Sequence, residues 1–226
     1  MRVSSLANTH NQHSLILRKL NPMNDDLLLL EKVAQFVLTG KGEKPNSSMI
    51  AETLIRCENQ AKKTKEKHSF ESLVGNWRLC WVSGTQKIRK QAGIVKGNGL
   101  YIPSFLNLQI IYSRYPHPLL TIEVPTEIDA GIIQNCVQLN QFNLTLTGPA
   151  KFLEKKNILA FDFTNLTSKL FGLNIYDGKM HGTSSNAQQF YQDSIKKQAF
   201  FAFFVITPDL IAARGRGGGL ALWTKV

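Results

Sequence analysis

Histidine, cysteine, serine and a short arginine–glycine run are the residue types in this 226-residue chain that could carry chemistry, and their spacing limits what it can be. His10 and His13 stand in a polar N-terminal stretch, while His68, His117 and His181 fall in separate polar segments with no metal-ligand spacing. Cys57, Cys80 and Cys136 are odd in number, widely spaced and form no CxxC pair, which points away from a zinc site or a disulfide framework. They read as small apolar residues in a reducing compartment. Ser184, Ser185 and Cys136 have no evident base partner, and Glu123 and Asp162 fall on opposite-looking strand faces. No catalytic constellation and no metal site is expected. The run Arg214-Gly215-Arg216-Gly217-Gly218-Gly219 admits three readings. As an arginine–glycine motif it would touch nucleic acid. As a phosphate cradle it would need Gly-Lys-Ser/Thr opening a helix, whereas an apolar strand follows here. A flexible hairpin that fixes Arg214 on a strand fits best.

The net charge is +11, and it is uneven: residues 73–226 carry 16 basic against 8 acidic side chains, residues 1–72 carry 11 against 8. A basic folded part suits an anionic partner, either nucleic acid or an anionic membrane surface, and charge alone does not choose between them. Lys62, Lys63 and Lys65 close a helix-like segment, and Lys87, Arg89 and Lys90 follow the first strand-like one. They are the candidates for contact with anionic headgroups. The plainer role for the first group is to complement the end of a helix dipole.

These residues must be positioned by two kinds of element. Residues 1–24 contain no acid and no sustained period, so they are expected to be disordered or transit-like. Leu27, Leu30, Ala34 and Val37 recur at helical spacing behind Asp25 and Asp26, and Gly40 supplies a stop, which predicts a helix over about 26–39. Ser47 or Ser48 can cap a second helix whose face is Ile50, Leu54, Cys57 and Ala61. From Leu73 the period drops to two. Trp77, Leu79 and Trp81 alternate with polar or small residues, as do Leu120, Ile122 and Val124, then Phe142, Leu144 and Leu146, and then Leu159, Phe161 and Phe163. Further strands are expected over Phe105–Ser113, Ile132–Leu139, Lys169–Ile175, Gln198–Ile206 and Leu220–Val226. Gly97–Gly99, Pro116–Pro118, Gly148-Pro149, Asp177-Gly178 and Gly215–Gly219 supply the punctuation. Residues 183–197 read as a short helix or a long loop. No window of about 18 apolar residues exists, so no membrane-spanning helix is expected.

Many short strands with few helices between them predict a mainly β fold, an antiparallel barrel or sandwich over residues 71–226, with the helical segment 25–70 packed on it. Phe200, Phe201, Phe203 and Phe204 are apolar on both faces, so one face should look inward and the other should be covered by the N-terminal helices. Trp81, Leu144, Leu146, Phe161 and Phe163 are expected to line an apolar pocket that holds one small hydrophobic molecule.

The order of motifs resembles the plastid lipid-associated proteins, or fibrillins, over roughly residues 27–226. Thr39-Gly40-Lys41-Gly42 separates two helices, and Leu73-Val74-Gly75-Asn76-Trp77-Arg78-Leu79 opens the first strand. Gly131-Ile132-Ile133-Gln134-Asn135 stands at the centre, and Asp209-Leu210, Arg214-Gly215 and a final apolar strand close the chain. The family's C-terminal pattern, close to Asp-x-Leu-Arg-Ile-x-Arg-Gly, is met by Ile211 and Ala212 where an Arg and an Ile would stand, which marks a divergent member. The resemblance implies a lipocalin-like barrel in a plastid, in the stroma, at the thylakoid surface or on lipid droplets, or in the cytoplasm or at the thylakoid surface of a cyanobacterium. It implies a bound lipid, quinone or carotenoid and no required cofactor. In such barrels a Gly and a Trp of the first strand and an Arg near the last close one end, so Gly75, Trp77 and Arg214 are expected to meet. Three other readings stay open: a bilin-lyase-like enzyme on a similar barrel, a single-strand nucleic-acid binder with aromatics on a basic face, and a filled scaffold.

Overall fold

The computed structural model describes residues 22–83, 99–114, 128–180 and 187–226. Helix α1 spans Pro22–Thr39 and α2 spans Ser47–Thr64. The first starts ahead of the expected Asp26, at a proline whose missing amide proton is harmless in a first turn. Asp26 therefore caps nothing and instead takes the guanidinium of Arg56 on α2 at 2.6 Å. Gly40, at φ +67, ends α1 as expected. The cap of α2 is Asn46, whose Oδ1 accepts from the Ser48 amide at 2.9 Å. Ser47 is thereby free to bond elsewhere. Its hydroxyl donates to the Gly99 carbonyl at 2.6 Å and accepts from Trp81 Nε1 at 2.7 Å.

A 3-10 turn, Phe70–Leu73, leads into the eleven strands found among the described residues: β1 Gly75–Val82, β2 Leu100–Tyr101, β3 Leu106–Arg114, β4 Asp129–Leu139, β5 Phe142–Leu153, β6 Ile158–Phe161, β7 Asn165–Leu170, β8 Leu173–Lys179, β9 Ala199–Ile206, β10 Leu210–Gly215 and β11 Leu220–Lys225. A short helix, α3 Ala187–Gln192, precedes β9. Eight strands run in the order β4-β3-β1-β11-β10-β9-β6-β5, and β5 pairs back on β4, which closes an antiparallel barrel of the expected lipocalin-like kind. The last half of β5 pairs with β6, inside the barrel wall, and its first half pairs with β7. The hairpin β7–β8 therefore extends the sheet β3-β4-β5 above the barrel rim.

Alternating side chains of this closed sheet build two cores. The interior one gathers Trp77, Ile110, Tyr112, Ile133, Phe152, Phe203 and Ile211. The other lies outside the barrel, where Leu30, Val33, Ile50 and Leu54 of the helices cover Cys80, Val205, Ala212 and Leu222. The double-sided phenylalanine run of β9 is served by both, with Phe203 inside and Phe204 against the helices.

Several local expectations are corrected. Gly148-Pro149 is not a turn but lies within β5, where β6 gives way to β7. There a Cβ on Gly148 would meet the Asp162 carbonyl oxygen at 1.9 Å, so glycine permits the close approach. Asp177-Gly178 lies inside β8, and the expected strand Lys169–Ile175 is in fact a hairpin that turns at Phe171-Gly172. The helical turn within 183–197 is α3. The expected strand Leu120–Val124 lies outside the described residues.

Candidate functional site

The barrel interior has a packed floor and an open apolar mouth. At the floor, the 3-10 turn drives Phe70 under the barrel, against Tyr112 and Phe152 at 6.4 Å between ring centres. Trp77 is fully buried beside it and donates from Nε1 to the Leu73 carbonyl at 2.7 Å. Gly131 makes room for Phe70, since a Cβ there would sit 2.3 Å from its ring. Loss of an indole in such a place costs about 3–5 kcal/mol.

Higher up, an aromatic chain crosses the interior. Phe163 lies 5.4 Å from Phe161, Phe161 lies 5.0 Å from Phe201, and Phe201 lies 5.4 Å from Trp223. Phe163, Phe201 and Leu79 are only partly buried. Above them rises the inner face of the tall sheet. Its register is unbroken between β4 and β5, so the side of β5 that carries Ala150 and Phe152 into the core also carries Leu146, Leu144 and Phe142. Three rows follow by cross-strand pairing: Ile110, Asn135, Leu146 and Leu166; then Leu108, Val137, Leu144 and Ser168; then Leu106, Leu139, Phe142, Leu170 and Leu173. The opposite face of the same strands is polar, with Asn107, Gln138, Asn143, Lys169 and Asn174 in one row. Exposure rises along the inner face, from half-buried Leu144 and Leu146 to Leu139 at 40%, Leu170 at 42% and Leu173 at 75%. Phe171, at the hairpin tip, is 72% exposed and holds φ +51, a left-handed conformation that Asn or Gly adopts far more readily.

One polar atom stands out inside. The Tyr112 hydroxyl is buried within the apolar core and has no hydrogen-bond partner among the described residues. Burial pushes its pKa well above the ordinary phenol value. The group is enclosed in the packed floor, where Phe70 and Phe203 pack on the ring.

Of the five expected pocket residues, Leu144, Leu146, Phe161 and Phe163 share the inner face. Trp81 does not. The register between β1 and β11 slips at Cys80, because Leu79 pairs with Trp223 while Trp81 pairs with Leu222. This bulge reverses the alternation. Trp77 and Leu79 point in, and Cys80 and Trp81 pack under the helices. There the Trp81 indole is fixed by Ser47 and covered by Gly99, where a Cβ would fall 1.8 Å from the ring.

The expected meeting of Trp77 and Arg214 does not occur. Trp77 pairs with Lys225 and Arg214 with Leu220, five residues apart on β11, or about 17 Å at 3.3 Å per residue. Lys225 Nζ lies 5.0 Å from the Trp77 ring centre and supplies the cation there. It also approaches Gly75, where a Cβ would fall 2.9 Å from its Cε. Arg214 instead clasps Glu58 of α2, with Nε to Oε1 at 2.9 Å and Nη2 on Oε2, and donates from Nη1 to the Gly218 carbonyl at 2.6 Å. The glycine run is thus a hairpin, as read from the sequence, and its arginine ties the barrel to a helix.

Sequence reasoning missed Lys151. Its side chain leaves the barrel wall outward, is buried, and donates to the carbonyls of Phe190 at 2.7 Å, Tyr191 at 3.3 Å and Asp193 at 2.6 Å. Burial lowers its pKa to about 8, partly offset by Asp193. It pins α3 to β5. A lone lysine in a strand gives no sequence signal for this. Cys57 and Cys80 are buried thiols, pushed up to about 11 and about 12 by that burial, and Cys136 is half-buried. Among the described residues no three His, Cys, Asp or Glu side chains gather as metal ligands, and no helix is long and apolar enough to cross a membrane. Lys62 pairs with Glu58 at 3.0 Å, Lys63 and Lys65 are exposed, and Lys87, Arg89 and Lys90 lie outside the described residues. No family model, curated protein or solved structure matches the chain.

Proposed function

We propose that the barrel mouth binds a hydrophobic small molecule of the lipid, quinone or carotenoid kind, and that the protein is a non-enzymatic carrier or accessory at a membrane or lipid-droplet surface. The observation that carries this reading is the apolar inner face of the tall sheet. It continues the barrel interior past the packed floor and stays open to solvent on strands whose outer face is polar. Burial of apolar area is the only large gain such a wall offers, at about 25 cal/mol per Å². The order of motifs, which resembles that of the plastid lipid-associated proteins, supports the same reading, and with it a plastid or thylakoid location beside an anionic membrane surface.

The test is direct. The protein is purified without detergent, extracted with solvent, and its bound molecules are identified by mass spectrometry. A fluorescent fatty acid is then titrated into the stripped protein. Leu144→Asp places a charge on the half-buried wall and should weaken the probe at least tenfold while leaving the circular dichroism spectrum unchanged. Unaltered probe affinity in a folded Leu144→Asp protein would refute the mouth as the binding site.

A further inference from the structure

A second cleft lies at the opposite end of the barrel from the mouth, between the end of α2, the segment that follows it, the β5–β6 turn and β9. Its volume is about 330 Å³, within the range of small-molecule sites. Lys62, Lys65 and Lys67 form one wall, and Lys155 and Lys156 the other. Ala61, Ala202 and Phe204 give an apolar floor. Against five ammonium groups stand two carboxylates, Glu58 and Glu66. Glu58 is already engaged by Arg214 and Lys62. Among the described residues, the ammonium groups of Lys65, Lys67 and Lys156 pair with no carboxylate.

The walls are held at a set distance. The Asn157 side chain donates from Nδ2 to the Glu66 carbonyl at 2.7 Å and accepts at Oδ1 from the His68 amide at 3.1 Å. This clip joins the two lysine-bearing segments across 91 and 89 residues of sequence. Both segments also carry a left-handed residue, Lys65 at φ 52 and Asn157 at φ 50. Each ends its helical turn, the Lys65 amide on the Ala61 carbonyl and the Asn157 amide on the Glu154 carbonyl, which fixes where the two lysine-bearing segments leave. The carbonyl end of the α2 dipole opposes an anion, but the Ala61 carbonyl there is taken by the Lys65 amide at 2.9 Å. Like charges gathered on two fixed walls repel until an anion enters between them.

We propose that this cleft binds a phosphate monoester joined to an apolar body, the phosphate between the lysine walls and the body on Phe204. Lysine suits a compact phosphate dianion as a point charge. The ester has two sources, a free amphiphile or a headgroup presented by a bilayer. The proposal rests on residues apart from the barrel mouth, so either reading can fail alone.

The test uses the full chain and three probes: inorganic phosphate, dihexanoyl phosphatidic acid below its micelle concentration, and phosphatidylcholine vesicles with or without phosphatidic acid. Lys65→Gln/Lys156→Gln changes two exposed side chains and leaves the fold intact. Asn157→Ala releases the clip. Dihexanoyl phosphatidic acid should bind more tightly than inorganic phosphate, and the double variant should weaken it at least tenfold, with a smaller loss in Asn157→Ala and a loss with rising salt. That result supports a free ester. Binding only to the phosphatidic acid vesicles, again weakened tenfold by the double variant, supports the headgroup source. Equal affinity of wild type and double variant for every probe, or tighter binding of a single-stranded oligonucleotide than of either lipid form, overturns the proposal. Fatty-acid binding at the mouth should be untouched by these variants, whereas Leu144→Asp should leave the phosphate ester untouched.

Discussion

Arg214 and Glu58 stand 156 residues apart in sequence, and their pairing can be measured by a double-mutant cycle with Glu58→Gln and Arg214→Met. The fork of Arg214 makes two bonds to the carboxylate and one to Gly218, and the two side chains are 28% and 12% exposed. A hydrogen bond to a charged group contributes about 1.5–3 kcal/mol, and breaking a fully buried pair costs about 3–5 kcal/mol. This pair is only partly buried, and Lys62 remains on Glu58 when Arg214 is lost. Arg214→Met should therefore cost about 2–3 kcal/mol, Glu58→Gln about 1–2 kcal/mol, and the coupling should be about 1–2 kcal/mol. Urea unfolding at pH 7 reads all four corners. The coupling must also fade in acid. Burial opposes the Glu58 carboxylate, but the bonds from Arg214 and Lys62 outweigh it and hold its pKa below the ordinary 4.5. A carboxyl whose folded pKa is depressed stabilises above its unfolded pKa and loses that contribution as pH falls through the folded one. The coupling is thus expected in full at pH 7 and reduced at pH 3. A matching cycle between Trp77→Phe and Arg214→Met should show no coupling beyond about 0.5 kcal/mol. If Glu58 and Arg214 couple by less than that at pH 7, or Trp77 and Arg214 by more, the tie between helix and barrel is misread.

Three further outcomes follow from single groups. Tyr112→Phe removes an unpartnered buried hydroxyl, so it should stabilise the protein by up to about 1 kcal/mol. A loss of stability in urea would show that the hydroxyl has a partner. Lys151 keeps its proton in the unfolded chain up to about pH 10.5, but burial brings its folded pKa to about 8. The folded protein gives up this proton more readily than the unfolded chain, so stability rises as pH goes from about 8 to about 10.5, and Lys151→Met should abolish that rise; an identical pH profile for both proteins would contradict it. Phe171→Asn places a residue suited to the left-handed turn at an exposed tip and should raise stability by about 0.5–1 kcal/mol, unless the ring packs on a partner in solution, in which case the midpoint falls.

The amino-acid sequence alone determined the two helices and most of the strands, with the faces they bury. Leu30, Ala34 and Val37, then Ile50, Leu54 and Cys57, recur at helical spacing, and all six are buried against the barrel. The period of two after Leu73 pointed to an antiparallel barrel or sandwich, because each alternating strand has one face to bury and short polar turns return it to its neighbour; the pairing of β5 with β4 made it a barrel. Leu144, Leu146, Phe161 and Phe163 were legible for the same reason. Trp81 was not, since one extra residue at Cys80 turns the rest of the strand over, and a bulge is set by the partner strand and not by its own residues. The partners of polar groups were equally hidden. Lys151 finds its carbonyls about 40 residues away, Asn157 clips a segment 91 residues away, and Arg214 meets Glu58 rather than Trp77. Periodicity reports which way a side chain faces. Which element it then meets depends on strand order, on register and on where the helices dock, and these are decided only when the sheet closes.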